Sequence, residues 1–80
     1  MSNEEKYKKV FEQSLSIAKD KIQNDLKYND IPEWDSIGHM TLISDLEEEF
    51  KITFETDDII DFSSYEKGKQ ILKEKYKIEI

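Results

Sequence analysis

Residues 35–50 constrain this chain most. His39, Leu42, Ile43, Leu46 and Phe50 recur at intervals of three and four, which is the spacing of one face of an α-helix. A strand, with its period of two, would scatter them over both faces. Asp35 suits the start of such a helix, because its carboxylate can accept hydrogen bonds from the free N–H groups of the first turn. A second stripe, Ile37, Met40, Thr41, Ser44 and Glu48, follows the same interval about a third of a turn round, apolar at its start and acidic at its end. Burying the first stripe leaves the second largely exposed, unless both rim the core. Exposed Ile37 and Met40 beside carboxylates make a docking face, with apolar contact for adhesion and charge for steering.

The remaining segments supply partners for that helix. Residues 3–22 read as a first helix capped by Ser2 or Asn3, with Glu4 and Glu5 in its first turn and Tyr7, Val10, Phe11, Ser14, Ala18 and Ile22 on one stripe. Its polar face mixes Glu with Lys, which fits a core-facing helix better than a membrane-surface one. Residues 23–33 lose the period, and Pro32 disfavours helix at Ile31. Leu26, Tyr28, Ile31 and Trp34 are too apolar for a free linker and are expected to pin this long loop across the other helices. Residues 51–55 read as extended, with Ile52 and Phe54 pointing inward. Thr56 is expected to cap a short helix that offers Ile59 and Ile60 to the core. Ser63 and Glu66 read as a capping box opening a last helix, whose apolar face is Tyr65, Gly68, Ile71, Leu72 and Tyr76. Gly68 costs that helix about 1 kcal/mol relative to alanine, so close approach of a neighbouring helix is expected there. Ile78 to Ile80 alternate like a strand but have no partner and are expected to fray. The prediction is an all-α fold, a small four-helix bundle of three longer helices and one short one with a long first loop, residues 1–80 forming a single domain.

Composition narrows the function. The 80 residues carry a net charge of −7 and no cysteine, which removes disulfides, thiol nucleophiles and cysteine-ligated zinc. No apolar run approaches the roughly 20 residues of a membrane span, and a cytoplasmic location is expected. The negative balance argues against nucleic acid and for a partner with a basic surface. Eight acids fall between positions 45 and 61 against the single base Lys51, whereas residues 1–31 balance six acids with six lysines. The field is therefore expected just downstream of Ser36. His39, the one histidine, lies three residues after Ser36 on the same side of the helix. An adjacent-turn pair of this kind has no evident third group and no oxyanion donors beyond the helix end, so catalysis is not expected. Residues 57–61 lack the alternating ligands and central glycine of an EF-hand, so no dedicated metal site is expected.

Ser36 occupies the first helical position. Its hydroxyl is expected at the positive end of the helix, where free N–H donors and the macrodipole favour an attached phosphate. Asp35-Ser36-Ile37, followed by a helix ending in Leu46-Glu47-Glu48-Glu49-Phe50, resembles the acyl carrier protein family. Trp34 in front and Gly38-His39-Met40 behind make it similar to the small free-standing bacterial carriers. The resemblance runs from the first helix to about Leu72. It implies a protein without catalysis of its own, on which a phosphopantetheinyl transferase moves 4′-phosphopantetheine from coenzyme A to Ser36. The terminal thiol of that arm then holds an acyl or aminoacyl group as a thioester, as in lipid or polyketide biosynthesis. The resemblance gives Asp35 the roles of cap and transferase recognition. It sets Ile37 in apolar contact with partners, and sets Glu47 and Glu48 against basic residues of loading ligases, acyltransferases or synthases. Gly38 and Thr41 stand where many fatty-acid carriers have acids, which points to a specialised pathway, and Gly38 is expected to loosen the first turn. Two alternatives stay open: a carrier of D-alanine or another amino acid, and an unmodified acidic helical adaptor for a basic partner. A monomer is expected.

Overall fold

The computed structural model describes residues 2–80. Four helices follow one another along the chain, α1 (Asn3–Leu15), α2 (Ser36–Phe50), α3 (Thr56–Asp61) and α4 (Tyr65–Lys75), with a 3-10 turn at Lys19–Lys21. The predicted all-α bundle of three longer helices and one short one is what the chain forms, and no strand occurs among the described residues.

Ser2 is the N-cap of α1. Its hydroxyl accepts from the Glu5 N–H at 3.1 Å while Glu5 Oε1 accepts from the Ser2 N–H at 3.1 Å, a reciprocal capping box. The helix ends well before residue 22, where the spacing alone placed its end. Ser16 adopts the left-handed conformation (φ 53°, ψ 48°), and the N–H groups of Ser16 and Ile17 both return to the Glu12 carbonyl. Ala18 is consequently exposed, and Ile22 enters the core from the loop instead of from a further helical turn.

Tyr7, Phe11 and Leu15 from α1, Leu42 and Leu46 from α2, and Ile71 and Leu72 from α4 build the core, joined by Leu26 and Trp34 from the long loop. Phe11 sits at the centre of an aromatic cluster, with ring centroids 5.0 Å from Tyr7, 4.9 Å from Tyr65 and 5.3 Å from Trp34, all in edge-to-face contact. The Tyr7 hydroxyl donates to the Tyr65 carbonyl at 2.6 Å. Burial pushes both phenols up, Tyr65 to about 12 with help from the nearby Glu4 charge and Tyr7 well above its ordinary value. Both side chains therefore stay neutral inside the bundle.

The long loop is pinned as its apolar content implied, and it is pinned by backbone too. Tyr28 N–H donates to Ser63 O, and Tyr65 N–H to Leu26 O, each at 2.9 Å, around an isolated antiparallel bridge between Lys27 and Ser64. This pairing moves the start of α4 by one residue. Ser64 is the bridged residue and is held extended (φ −157°, ψ 166°), so it is the N-cap and accepts from the Lys67 N–H at 2.9 Å. Glu66 then lies at the second helical position and closes no capping box with Ser63. Likewise α3 is capped by Glu55, with no side-chain bond, and Thr56 is its first residue.

Two further expectations change in the structure. Ile60 faces outward, 72% exposed, and only Ile59 of that pair packs on the core. The tail does not fray, because Ile78 N–H reaches Leu72 O at 3.0 Å, Asn3 Nδ2 donates to Glu79 O at 2.8 Å, and Ile78 and Ile80 rest half-buried on the core. Gly68 has the expected close neighbours. A Cβ there would collide with the Tyr7 hydroxyl and come within 2.6 Å of Phe62 Cε1.

Candidate functional site

The start of α2 is built by its own cap and by the loop behind it. Asp35 is extended (φ −105°, ψ −167°), and its Oδ1 accepts from the Gly38 N–H at 2.8 Å. Its carbonyl takes the first helical bond, from His39 N–H, also at 2.8 Å. The N–H groups of Ser36 and Ile37 are left without intrahelical partners, as at any helix start. Ser36 is exposed, and its Oγ meets the Tyr28 hydroxyl at 3.1 Å. That tyrosine lay outside every site read from the sequence. Gly38 does not loosen the turn: a Cβ would collide with the Glu33 carbonyl oxygen and lie 3.2 Å from Leu15 Cδ2. The glycine lets the loop close down on the helix, so its place here is a packing requirement.

His39 ties three elements together. The Trp34 indole N–H, which can only donate, reaches His39 Nδ1 at 2.9 Å. Nδ1 must therefore present its lone pair, and Nε2 carries the proton it donates to the Ile59 carbonyl at 3.0 Å. Both ring nitrogens are thus engaged away from Ser36, and the ring, stacked on Trp34 with centroids 6.1 Å apart, holds α3 against α2.

The second stripe of α2 is exposed, as the geometry of the first required. Ile37 is 78% and Met40 56% exposed, with Thr41, Ser44 and Glu48 also open to solvent. Thr41 Oγ1 donates back to the Ile37 carbonyl at 3.1 Å. Ser36, Ile37, Met40, Thr41, Ser44 and Asp45 border one surface groove. Glu47 departs from the sequence reading and does not join this face. It is half-buried, and its Oε2 accepts from the Phe54 N–H at 2.8 Å, so it fastens the 51–55 connection.

Two more acids of the 45–61 run are similarly occupied. Asp45 Oδ2 accepts from Ser14 Oγ at 2.6 Å. Asp58 is buried, and its two oxygens accept from Lys75 Nζ and the Tyr76 hydroxyl, each at 2.6 Å. The Tyr76 hydroxyl in turn accepts from the Glu55 N–H at 2.9 Å. The hydrogen bonds from Lys75 and then Tyr76 hold the Asp58 carboxyl below its ordinary range despite burial, and the same contact raises Lys75. The Phe54, Asp58, Phe62 interval of four was the available signal that Asp58 faces inward. The outward field rests on Glu48, Glu49, Glu55, Asp57 and Asp61.

Tyr28 also forms a wall of an apolar cleft of about 240 Å³, together with His39, Ile59, Ile60, Phe62 and Ser63. Among the described residues no cluster of His, Asp and Glu is arranged to hold a metal ion, and no helix is long and apolar enough to cross a membrane. Comparison of the chain with protein-family models and with curated proteins finds no match in either.

Chemically, then, the start of α2 offers one primary alcohol open to solvent at a helix's positive end, with its aspartate neighbour turned to the backbone. A phosphodiester on that oxygen would lie beside the Ser36 and Ile37 N–H groups and the Tyr28 hydroxyl, all of them donors.

Proposed function

We propose that this protein is a cytoplasmic carrier of the acyl carrier type, in which Ser36 bears a 4′-phosphopantetheine arm installed from coenzyme A by a phosphopantetheinyl transferase. The arm's thiol supplies the thioester that holds an acyl or aminoacyl cargo. The protein supplies placement and recognition, and partner enzymes do the chemistry. Asp35 fixes the turn that presents Ser36. Ile37 and Met40 give partners an apolar foothold, Thr41 and Ser44 continue it, and Glu48 with its acidic neighbours steers basic surfaces towards it. Glu47 is omitted from this set because its carboxylate is bonded to Phe54.

The observation that carries the reading is the outward Ser36 hydroxyl at the first position of α2, on the face that also exposes Ile37 and Met40. Burial of that oxygen would leave nowhere to mount an arm. The test is incubation of the purified protein with coenzyme A and a broad-specificity transferase, followed by intact-mass measurement. A mass gain equal to one phosphopantetheine is expected. An unchanged mass would instead favour an unmodified acidic adaptor using the same face.

A further inference from the structure

The Tyr28 hydroxyl lies 3.1 Å from Ser36 Oγ, and nothing in the cap or the core requires that contact. The ring that carries it is held firmly. Tyr28 N–H is bonded to Ser63 O at 2.9 Å, and Asn29, in the left-handed conformation at φ 72°, sends its N–H to Trp34 O at 3.0 Å. The ring itself stands edge-on to His39 and Trp34, with centroids 5.4 and 6.3 Å away. Loop, α2 and the entry to α4 together therefore aim one phenol at the exposed hydroxyl that opens α2.

From this geometry, and resting on the carrier reading above, we infer that Tyr28 is a positioning residue for Ser36, orienting its hydroxyl for esterification and afterwards donating a hydrogen bond to the phosphodiester. When Ser36 Oγ bonds to phosphorus, its O–H bond breaks and the proton passes to a base of the transferase. The pyrophosphate bond of coenzyme A breaks at the same time, and adenosine 3′,5′-bisphosphate leaves with the electron pair. In the free protein either hydroxyl can donate. Once esterified, Ser36 Oγ has no proton, so any bond that persists must have Tyr28 as donor. A phenol donating to a phosphodiester is a charge-assisted bond, stronger than the neutral one it replaces. With Tyr28 as donor before modification too, the Ser36 proton is free to point towards the base, and one rotamer of Ser36 serves both states.

The test is Tyr28→Phe, which keeps the ring and removes only the oxygen. Its urea midpoint should equal that of the native protein, and kcat/KM for loading by the transferase should fall about tenfold, the loss expected of one hydrogen bond that orients the nucleophile. Tyr76→Phe, which removes a phenol oxygen from the Asp58 cluster, should load at the native rate. The deciding readout is the phosphorus NMR resonance of the modified proteins, which should be displaced in Tyr28→Phe relative to native. A resonance that does not move overturns the inference whatever the loading rate, while leaving the carrier reading intact. A native chain that gains no mass overturns both. One measurement needs no variant. In the native modified protein the Tyr28 hydroxyl proton should show an Overhauser contact to the Ser36 Cβ protons, and its absence would also overturn the inference.

Discussion

Two clusters in this molecule combine an aspartate with a tyrosine hydroxyl, and they behave as opposites. At the start of α2 the Asp35 carboxylate is bonded to the Gly38 N–H, while the Tyr28 hydroxyl meets the Ser36 hydroxyl, which is open to solvent. Around Asp58, Lys75 and Tyr76 close on a carboxylate that is only 2% exposed. The chemistry is similar, but the environment differs. In the first, Asp35 caps a helix and the Ser36 oxygen stays exposed beside Tyr28; in the second the carboxylate, the ammonium and the phenol tie α3 to the end of α4. An acid and a tyrosine hydroxyl thus leave an oxygen open to solvent in one setting and close off every oxygen in the other.

That contrast can be broken most sharply at Ser36. Ser36→Ala should reduce loading by coenzyme A and a transferase from complete to none, read as intact mass, while its urea midpoint stays near native because the side chain is exposed. Asp58→Ala should do the reverse: loss of about 2 kcal/mol in urea unfolding, from losing the bonds that the buried carboxylate accepts from Lys75 and Tyr76, with loading preserved under conditions where the chain is folded. A variant of either kind that behaved like the other would erase the distinction.

Acid titration sharpens the same comparison. The Asp58 carboxyl titrates below its unfolded value, so the stability it contributes is complete above the ordinary carboxylate range and is lost as pH falls below about 4. The unfolding midpoint should drop across that window, and Asp58→Asn should flatten the drop. Asp35→Ala comes next in size. Loss of the cap should cost about 1 kcal/mol and slow loading, since the same turn presents Ser36. Glu48→Lys should change stability least, by under about 0.5 kcal/mol, and show itself only as slower, more salt-dependent association with the transferase.

The elements legible in the sequence were those whose determinants are local. Helix α2 announced itself through its period and Asp35, and the two stripes separated core from surface correctly at Leu42, Ile43, Ile37 and Met40. Where tertiary contacts decide, local rules fell short. Ser63 and Ser64 are equally good caps, and only the bridge to Lys27 selects the second. Ser16 enters a left-handed conformation that glycine would have signalled and serine does not. The tail is held by Asn3, 76 positions away from Glu79. Asp35 as the cap of α2 and Ser36 as its first residue could be read because capping is a short-range pattern. Tyr28 could not, since its place depends on the path of a loop with no period, and Glu47 and Asp58 looked like members of a solvated acidic run until their partners were seen.

The central claim is that one hydroxyl among this chain's serines is presented for covalent attachment. Fragment-level mass spectrometry of the native protein after reaction with coenzyme A and a transferase tests it most directly. The account predicts a single added phosphopantetheine on the peptide containing Ser36 and none on those containing Ser14, Ser44 or Ser64. An unmodified Ser36, or an arm found on another serine, would contradict it.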